Sequence, residues 1–207
     1  DGSAQIIVRK PAAGEKMTLL DGKTIEPHKD AVLICNSKGP IALGGVMGGG
    51  SSEVDENTKR IVLECATFDM YNIRRTSMKY GLFTDAVTRF TKGQNVYQND
   101  RVIAKIMTDI VERCGGSQAS EVFDVHTPLP ETKKVKVGTD YINVRLGLDL
   151  KATEIKHLLE NVEFGVILDG DELLVDAPFW RTDIEISEDV IEEVGRLHGF
   201  DKIPVAL

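Results

Sequence analysis

An α+β fold of two modules is what this sequence predicts: a mixed-sheet module, then a smaller helix–strand module of winged-helix type. Three observations carry the prediction. Short Ile/Val/Leu-rich runs and helix-period apolar stripes both occur before residue 127, and a proline-containing break, Thr127-Pro-Leu-Pro-Glu-Thr132, follows them. Beyond the break come two short helical patterns, a hairpin signal and an acidic helix. The charge changes at the same place. Residues 1–130 hold 16 basic and 16 acidic residues, whereas 131–207 hold 9 and 17, which accounts for the whole net charge of −8. The expected organisation is therefore 1–126, a linker over 127–132, and 133–207.

Along the first module, Gln5–Arg9, Ala31–Asn36, Ile41–Gly44 and Ile61–Glu64 read as strands, being rich in β-branched and apolar residues. Leu20-Asp-Gly-Lys is a turn signal. Asp69 caps a helix that runs to about Tyr80 and stops at Gly81. A clearer helix spans Asp100 to about Cys114. Val102, Ile103, Ile106, Ile110 and Val111 form its apolar stripe, and Gly115-Gly116 ends it. Glu121–Val125 reads as a further strand. In the second module, Lys133–Val137 is a strand, helices follow near Tyr141–Leu146 and Ala152–Asn161, and Phe164–Leu168 pairs with Glu172–Asp176 about Asp169-Gly170. The closing helix places Val190, Ile191, Val194 and Leu197 at helical spacing, with Ser187 as its cap.

With 42% apolar and 28% charged residues, the composition is that of a globular protein. No apolar run is long enough to span a membrane, and the first residues lack the pattern of a signal peptide. Cys35, Cys65 and Cys114 are odd in number and widely spaced, which suits reduced thiols in a cytoplasmic protein. The four histidines stand singly, so a zinc site is not expected. Because the first module is electrically neutral, nucleic acid can meet it only through local positive patches.

Two stretches hold unusual chemistry. Asp183, Asp189, Glu192 and Glu193 lie in and just before the last helix, and hard oxygen donors at this density suit a small divalent cation such as magnesium. The competing reading is a solvated acidic face paired with Arg181 and Arg196. The second stretch runs from Ile41 to Gly93. Gly44-Gly-Val-Met-Gly48-Gly49-Gly50-Ser-Ser lets the backbone turn tightly or approach a ligand. It lacks Gly-Lys-Ser/Thr and any dinucleotide fingerprint. Glu64 ends an otherwise apolar run, where a carboxylate needs either an ion pair, such as Arg74 or Arg75, or a pocket to serve. Thr84-Asp-Ala86 sets a hydroxyl beside a small residue. No Ser/His/Asp or Cys/His set assembles.

Taken together, Gly45-Val-Met-Gly-Gly-Gly-Ser-Ser-Glu-Val, Leu63-Glu-Cys-Ala-Thr-Phe-Asp, Ile73-Arg-Arg-Thr-Ser and Gly81-Leu-Phe-Thr-Asp-Ala-Val-Thr-Arg-Phe-Thr-Lys-Gly93 resemble the editing module of bacterial phenylalanine–tRNA ligase beta subunits. The part ending Pro178-Phe-Trp-Arg-Thr-Asp-Ile and Asp189-Val-Ile-Glu-Glu-Val-Gly-Arg-Leu-His-Gly-Phe resembles the small module that follows it in that family. The resemblance covers nearly the whole chain, in order.

That resemblance implies hydrolysis of tyrosine wrongly attached to tRNA(Phe). Glu64 would recognise the tyrosine hydroxyl, Gly48 and Gly49 would line the pocket, and Thr84 and Ala86 would complete it. It implies magnesium held by Asp183, Asp189, Glu192 and Glu193 at a junction with the alpha subunit of an alpha2beta2 tetramer. ATP would be used by the whole enzyme and not bound here. Neither membrane nor DNA is an expected partner. It also implies that the editing module begins upstream of Asp1, so that the chain is a fragment. Gly45 stands where the family more often has alanine, and Val87 and Thr88 replace a more polar pair. Rival readings are a free-standing deacylase, a scaffold or tRNA-binding module, and a winged-helix nucleic-acid reader in 131–207.

Overall fold

The computed structural model describes residues 5–129 and 133–203, and the chain divides into two compact units, 1–121 and 122–207. Each has its own core. No helix among the described residues is long and apolar enough to cross a membrane.

Unit 1 begins with β1 (Ile7–Arg9), followed by β2 (Met17–Thr18) and β3 (Thr24–Ile25). These last two pair antiparallel around Asp21-Gly22, where Gly22 takes φ 82°, a left-handed value that favours glycine. β4 (Leu33–Asn36), β5 (Gly39–Leu43) and β6 (Met47–Gly48) complete a four-stranded sheet in the order β1-β4-β5-β6. Register slips between Ile34 and Cys35, so that Cys35 faces Pro40; a bulge is one of the few strand positions that tolerate proline. Helix α1 (Met70–Tyr80) starts as expected: the Asp69 carboxylate accepts the Asn72 amide at 2.7 Å, and Gly81 ends it at φ 64°. Two further helices follow, α2 (Asp85–Phe90) and α3 (Asn99–Cys114). Met17, Leu19, Leu33, Leu43 and Val46 pack with Ile73 of α1 and Val87 of α2 in the core.

Several expectations fail here. Ile61–Glu64 and Glu121–Val125 are not strands. An apolar, β-branched run favours an extended backbone, but a strand also needs an edge to pair with, and neither run meets one among the described residues. Among the described residues no sheet is mixed: every pairing is antiparallel. In unit 1 the links from β4 to β5 and from β5 to β6 are too short for the crossover that parallel pairing needs. The α3 stripe forms as a helix, yet none of its residues is fully buried.

Unit 2 contains β7 (Lys134–Gly138), α4 (Thr139–Leu146), α5 (Ala152–Glu160), β8 (Gly165–Asp169), β9 (Glu172–Asp176) and α6 (Ser187–His198). Its sheet runs β7-β9-β8, and β8 and β9 form the expected hairpin, with Gly170 at φ 62°. Inward residues of β7 and β9, among them Val135, Val137, Leu173 and Val175, meet Ile142, Ile155, Leu159, Val190 and Val194 of the three helices. A three-stranded sheet with a hairpin and three helices is the α+β arrangement that the sequence predicts. Residues 130–132 of the expected linker lie outside the described residues.

Candidate functional site

In unit 1 the glycine-rich turn is built for close packing. Gly44 donates to the Val32 carbonyl at 2.8 Å, and Val46 donates to that of Leu43 at 3.0 Å. Gly45 sits at φ 68°, and a Cβ there would lie 2.6 Å from Ile73 Cδ1. At Gly49 a Cβ would lie 2.7 Å from the Ile41 carbonyl oxygen; at Gly48 it would meet only the tip of Leu20, at 2.9 Å. The tight turn, the first of the two roles open to these glycines, is thus present, and the atoms they approach closely belong to the protein.

Thr84 joins this turn to α2. Its hydroxyl donates to the Val46 carbonyl at 2.7 Å and accepts the Val87 amide at 3.1 Å as the helix cap. A hydroxyl has one proton and two lone pairs, so one acceptor site remains for a ligand or water. Ala86, on the first turn of α2, is half-buried. Phe68 closes the cluster: it packs against the Gly44-Gly45 backbone and meets Phe90 of α2 edge-to-face, with ring centroids 4.9 Å apart. The sequence gives no signal for this contact, since the partners are a backbone turn and a ring 22 residues away.

Glu64 lies in the irregular segment leading to Phe68. Its side chain is exposed, and the protein atoms beside it still push its carboxyl above the usual carboxylate range by partial desolvation. The water it does reach screens that effect. Arg74 and Arg75 are not its partners: Arg75 faces Asp30 at 4.0 Å, and Glu64 forms no ion pair among the described residues. Thr84 and the glycine turn are therefore joined directly, Ala86 stands beside them, and Glu64 belongs to the adjoining segment.

In unit 2 the four carboxylates go four ways. Arg181 grips Asp183 through two hydrogen bonds of 2.8 and 2.7 Å, and reaches Glu193 at 2.8 Å. Arg196 also bonds Glu193, whose side chain is only 4% exposed. Arg196, with Arg181, holds the Glu193 carboxyl below its ordinary range against the effect of burial. Arg181 does the same for Asp183. Asp189 turns back to accept the amides of Glu185 and Ile186 at 2.8 and 2.9 Å. It thus caps α6 in place of Ser187, whose hydroxyl donates to the Lys136 carbonyl at 3.2 Å. Glu192 is exposed, and its neighbour Glu193 is buried.

Adjacent helical residues point about 100° apart, so Glu192 turns to solvent while Glu193 turns to the interior, and the common side expected for Asp189, Glu192 and Glu193 is not shared. No group of three or more His, Cys, Asp or Glu side chains among the described residues is placed to hold a metal. As arranged in this chain, the donors do not fit a shared cation, because guanidinium groups already neutralise two of them and backbone amides take a third.

The B3/4 domain family matches residues 2–115, and the tRNA synthetase B5 domain matches residues 135–200. A phenylalanine--tRNA ligase beta subunit from Lactococcus lactis is 37% identical over 206 residues, covering 100% of this chain and 26% of the relative. One from Aromatoleum aromaticum is 40% identical over 200 residues, covering 96% and 25%. The chain thus spans about a quarter of the length of the curated relatives it matches. Among solved structures, an N-terminal fragment of the phenylalanyl-tRNA synthetase beta subunit from Pyrococcus horikoshii covers 94% of this chain and 56% of its own, at 20% identity and a TM-score of 0.48.

Proposed function

Because this chain belongs to the B3/4 domain family and carries a tRNA synthetase B5 domain behind it, we propose that it is the editing part of a phenylalanine–tRNA ligase beta subunit. Residues 1–126 would be the editing module, 127–132 a linker, and 133–207 the part that helps assemble the beta subunit with its alpha partner. The substrate is tyrosine esterified in error to tRNA(Phe).

The observation that carries this reading is Glu64, an exposed carboxylate partly desolvated by its neighbours and without an ion-pair partner among the described residues. Tyrosine differs from phenylalanine by one hydroxyl, and a site that must find that hydroxyl needs an acceptor. With bound substrate shutting water off from Glu64, phenylalanine would leave the acceptor unpaired, at about 1–3 kcal/mol. Sites built to bond a substrate hydroxyl discriminate by roughly 10⁴–10⁵. The free lone pair of Thr84 can accept from the substrate ammonium or from water, and Ala86 leaves room for the ring. Gly48 and Gly49 let the chain approach the ester. Water attack on the ester carbonyl releases free tyrosine, and the proton returns to the tRNA hydroxyl.

Aminoacylation with ATP would belong to the alpha subunit. Magnesium has no step in this proposal, since Asp183, Asp189, Glu192 and Glu193 do not converge. The test is hydrolysis of tyrosyl- and phenylalanyl-tRNA(Phe) by the complete ligase. Faster clearance of the tyrosyl ester is expected, and equal rates would overturn the editing reading.

A further inference from the structure

We propose that a second site in unit 1 binds RNA phosphates: the cleft between the Pro11–Gly14 turn, the Glu26–Asp30 loop and the last two turns of α1. The cleft is about 710 Å³ in volume and carries three cations, Lys29 from the loop and Arg75 and Lys79 from the helix. Arg75 and Lys79 are four residues apart, so the helix presents both on one face. Neither Lys29 nor Lys79 has a carboxylate at ion-pairing distance among the described residues. Arg75 is held only at 4.0 Å by Asp30, which also faces Lys10 at 3.8 Å. Glu26 and Asp30 oppose these charges in the lining, but Asp30 already has its two cations.

The walls are fixed before any ligand arrives. Asn72 Nδ2 donates to the Asp30 carbonyl at 2.7 Å, and the Asp30 amide donates to His28 Nδ1 at 3.3 Å. With Nδ1 accepting, the neutral ring carries its proton on Nε2 and donates it to Thr76 Oγ1 at 2.8 Å. Tyr80 donates its hydroxyl proton to the Glu26 carbonyl at 2.8 Å, pinning the loop's other end. His28 is kept below its ordinary pKa by burial and then by the charge of Lys79, which agrees with a positive potential across the cleft.

The ligand class follows from the charge pattern. Residues 1–130 are neutral overall, so a polyanion meets this unit through cations that lack carboxylate partners, and Lys29 and Lys79, the latter 5.8 Å over the Tyr80 ring, are two such cations in one cleft. Its lysines are long, exposed and spread along the walls, which suits successive phosphates of a strand better than one enclosed ion. The inference rests on reading unit 1 as acting on tRNA, and its test separates the two.

The experiment measures the affinity of the complete protein for a tRNA(Phe) transcript over a range of salt. It compares wild type with Lys29→Ala/Lys79→Ala and with Lys29→Arg/Lys79→Arg. Each lost phosphate contact lowers the slope of log K against log salt by about 1, so the alanine pair should bind more weakly with a slope shallower by about 2. The arginine pair should match wild type. Unchanged affinity and slope in the alanine pair would overturn the proposal, as would weaker binding at an unchanged slope. All three proteins should hydrolyse the tyrosyl ester equally at saturating RNA. If none hydrolyses it but the slope still falls, the editing reading fails and the cleft stands.

Discussion

Thr84 Oγ1 donates a 2.7 Å hydrogen bond to the carbonyl oxygen of Val46, so the cap of α2 and the glycine-rich turn are one structural piece. The same hydroxyl accepts the Val87 amide. Thr84→Ala should therefore lose both the cap and the tie, destabilising unit 1 by about 1–2 kcal/mol. Thr84→Ser, which keeps the hydroxyl, should recover most of that. Urea unfolding of the three proteins decides it, and equal midpoints for alanine and wild type would show that the tie carries no stability.

Neighbouring glycines of the turn should respond differently to alanine. At Gly49 the new methyl would meet the Ile41 carbonyl at 2.7 Å, and backbone cannot easily retreat. At Gly48 it would meet the end of the Leu20 side chain, which can rotate. Gly49→Ala should cost about 1–3 kcal/mol, as overpacking does, and Gly48→Ala distinctly less. Thermal melting of both variants gives the order, and the reverse order would contradict the placement of this turn.

Arg9 and Glu15 set an acid limit for unit 1. Two hydrogen bonds of 2.6 and 2.8 Å from Arg9, with a third from the Ala12 amide, lower the Glu15 carboxyl to about 2. The unfolded chain should titrate near the ordinary value of about 4.3. A depressed folded value means that the unfolded state binds more protons between these limits, so stability rises with pH across them. The contribution is complete above about 4.3. It is lost as pH falls through about 2. Urea midpoints measured against pH should show this fall for wild type and a shallower one for Glu15→Gln.

In unit 2, Arg181→Ala should leave Glu193 buried with Arg196 alone and free Asp183. Removing one partner of a buried charge costs about 1–3 kcal/mol when other bonds remain. Because these carboxylates are held by arginines and amides, melting of the 207-residue chain should be the same in magnesium and in EDTA. A clear rise in melting temperature with magnesium would show that the donors rearrange around a cation.

How legible all this was depends on the kind of signal. Asp69, Gly81, Asp21-Gly22 and Asp169-Gly170 mark boundaries correctly because caps and tight turns are local chemistry. Ile61–Glu64 and Glu121–Val125 misled because pairing depends on a partner edge that no local run contains. Met17–Thr18, Thr24–Ile25 and Met47–Gly48 were missed as strands because two residues are too few to show a period. The acidic helix was legible as a helix, but its carboxylates were not legible as a set. Which way each one turns is decided by Arg181, twelve residues before Glu193, and by the amides of Glu185 and Ile186.

Glu64 is the residue proposed to sense the tyrosine hydroxyl. The direct measurement is the ratio of hydrolysis rates for tyrosyl- and phenylalanyl-tRNA(Phe) by the complete ligase, for wild type and Glu64→Ala. Wild type should strongly prefer the tyrosyl ester, and the variant's ratio should fall by at least tenfold toward one, through loss of tyrosyl clearance. A variant that keeps the wild-type ratio would contradict that role, and the hydroxyl would have to be read by another residue.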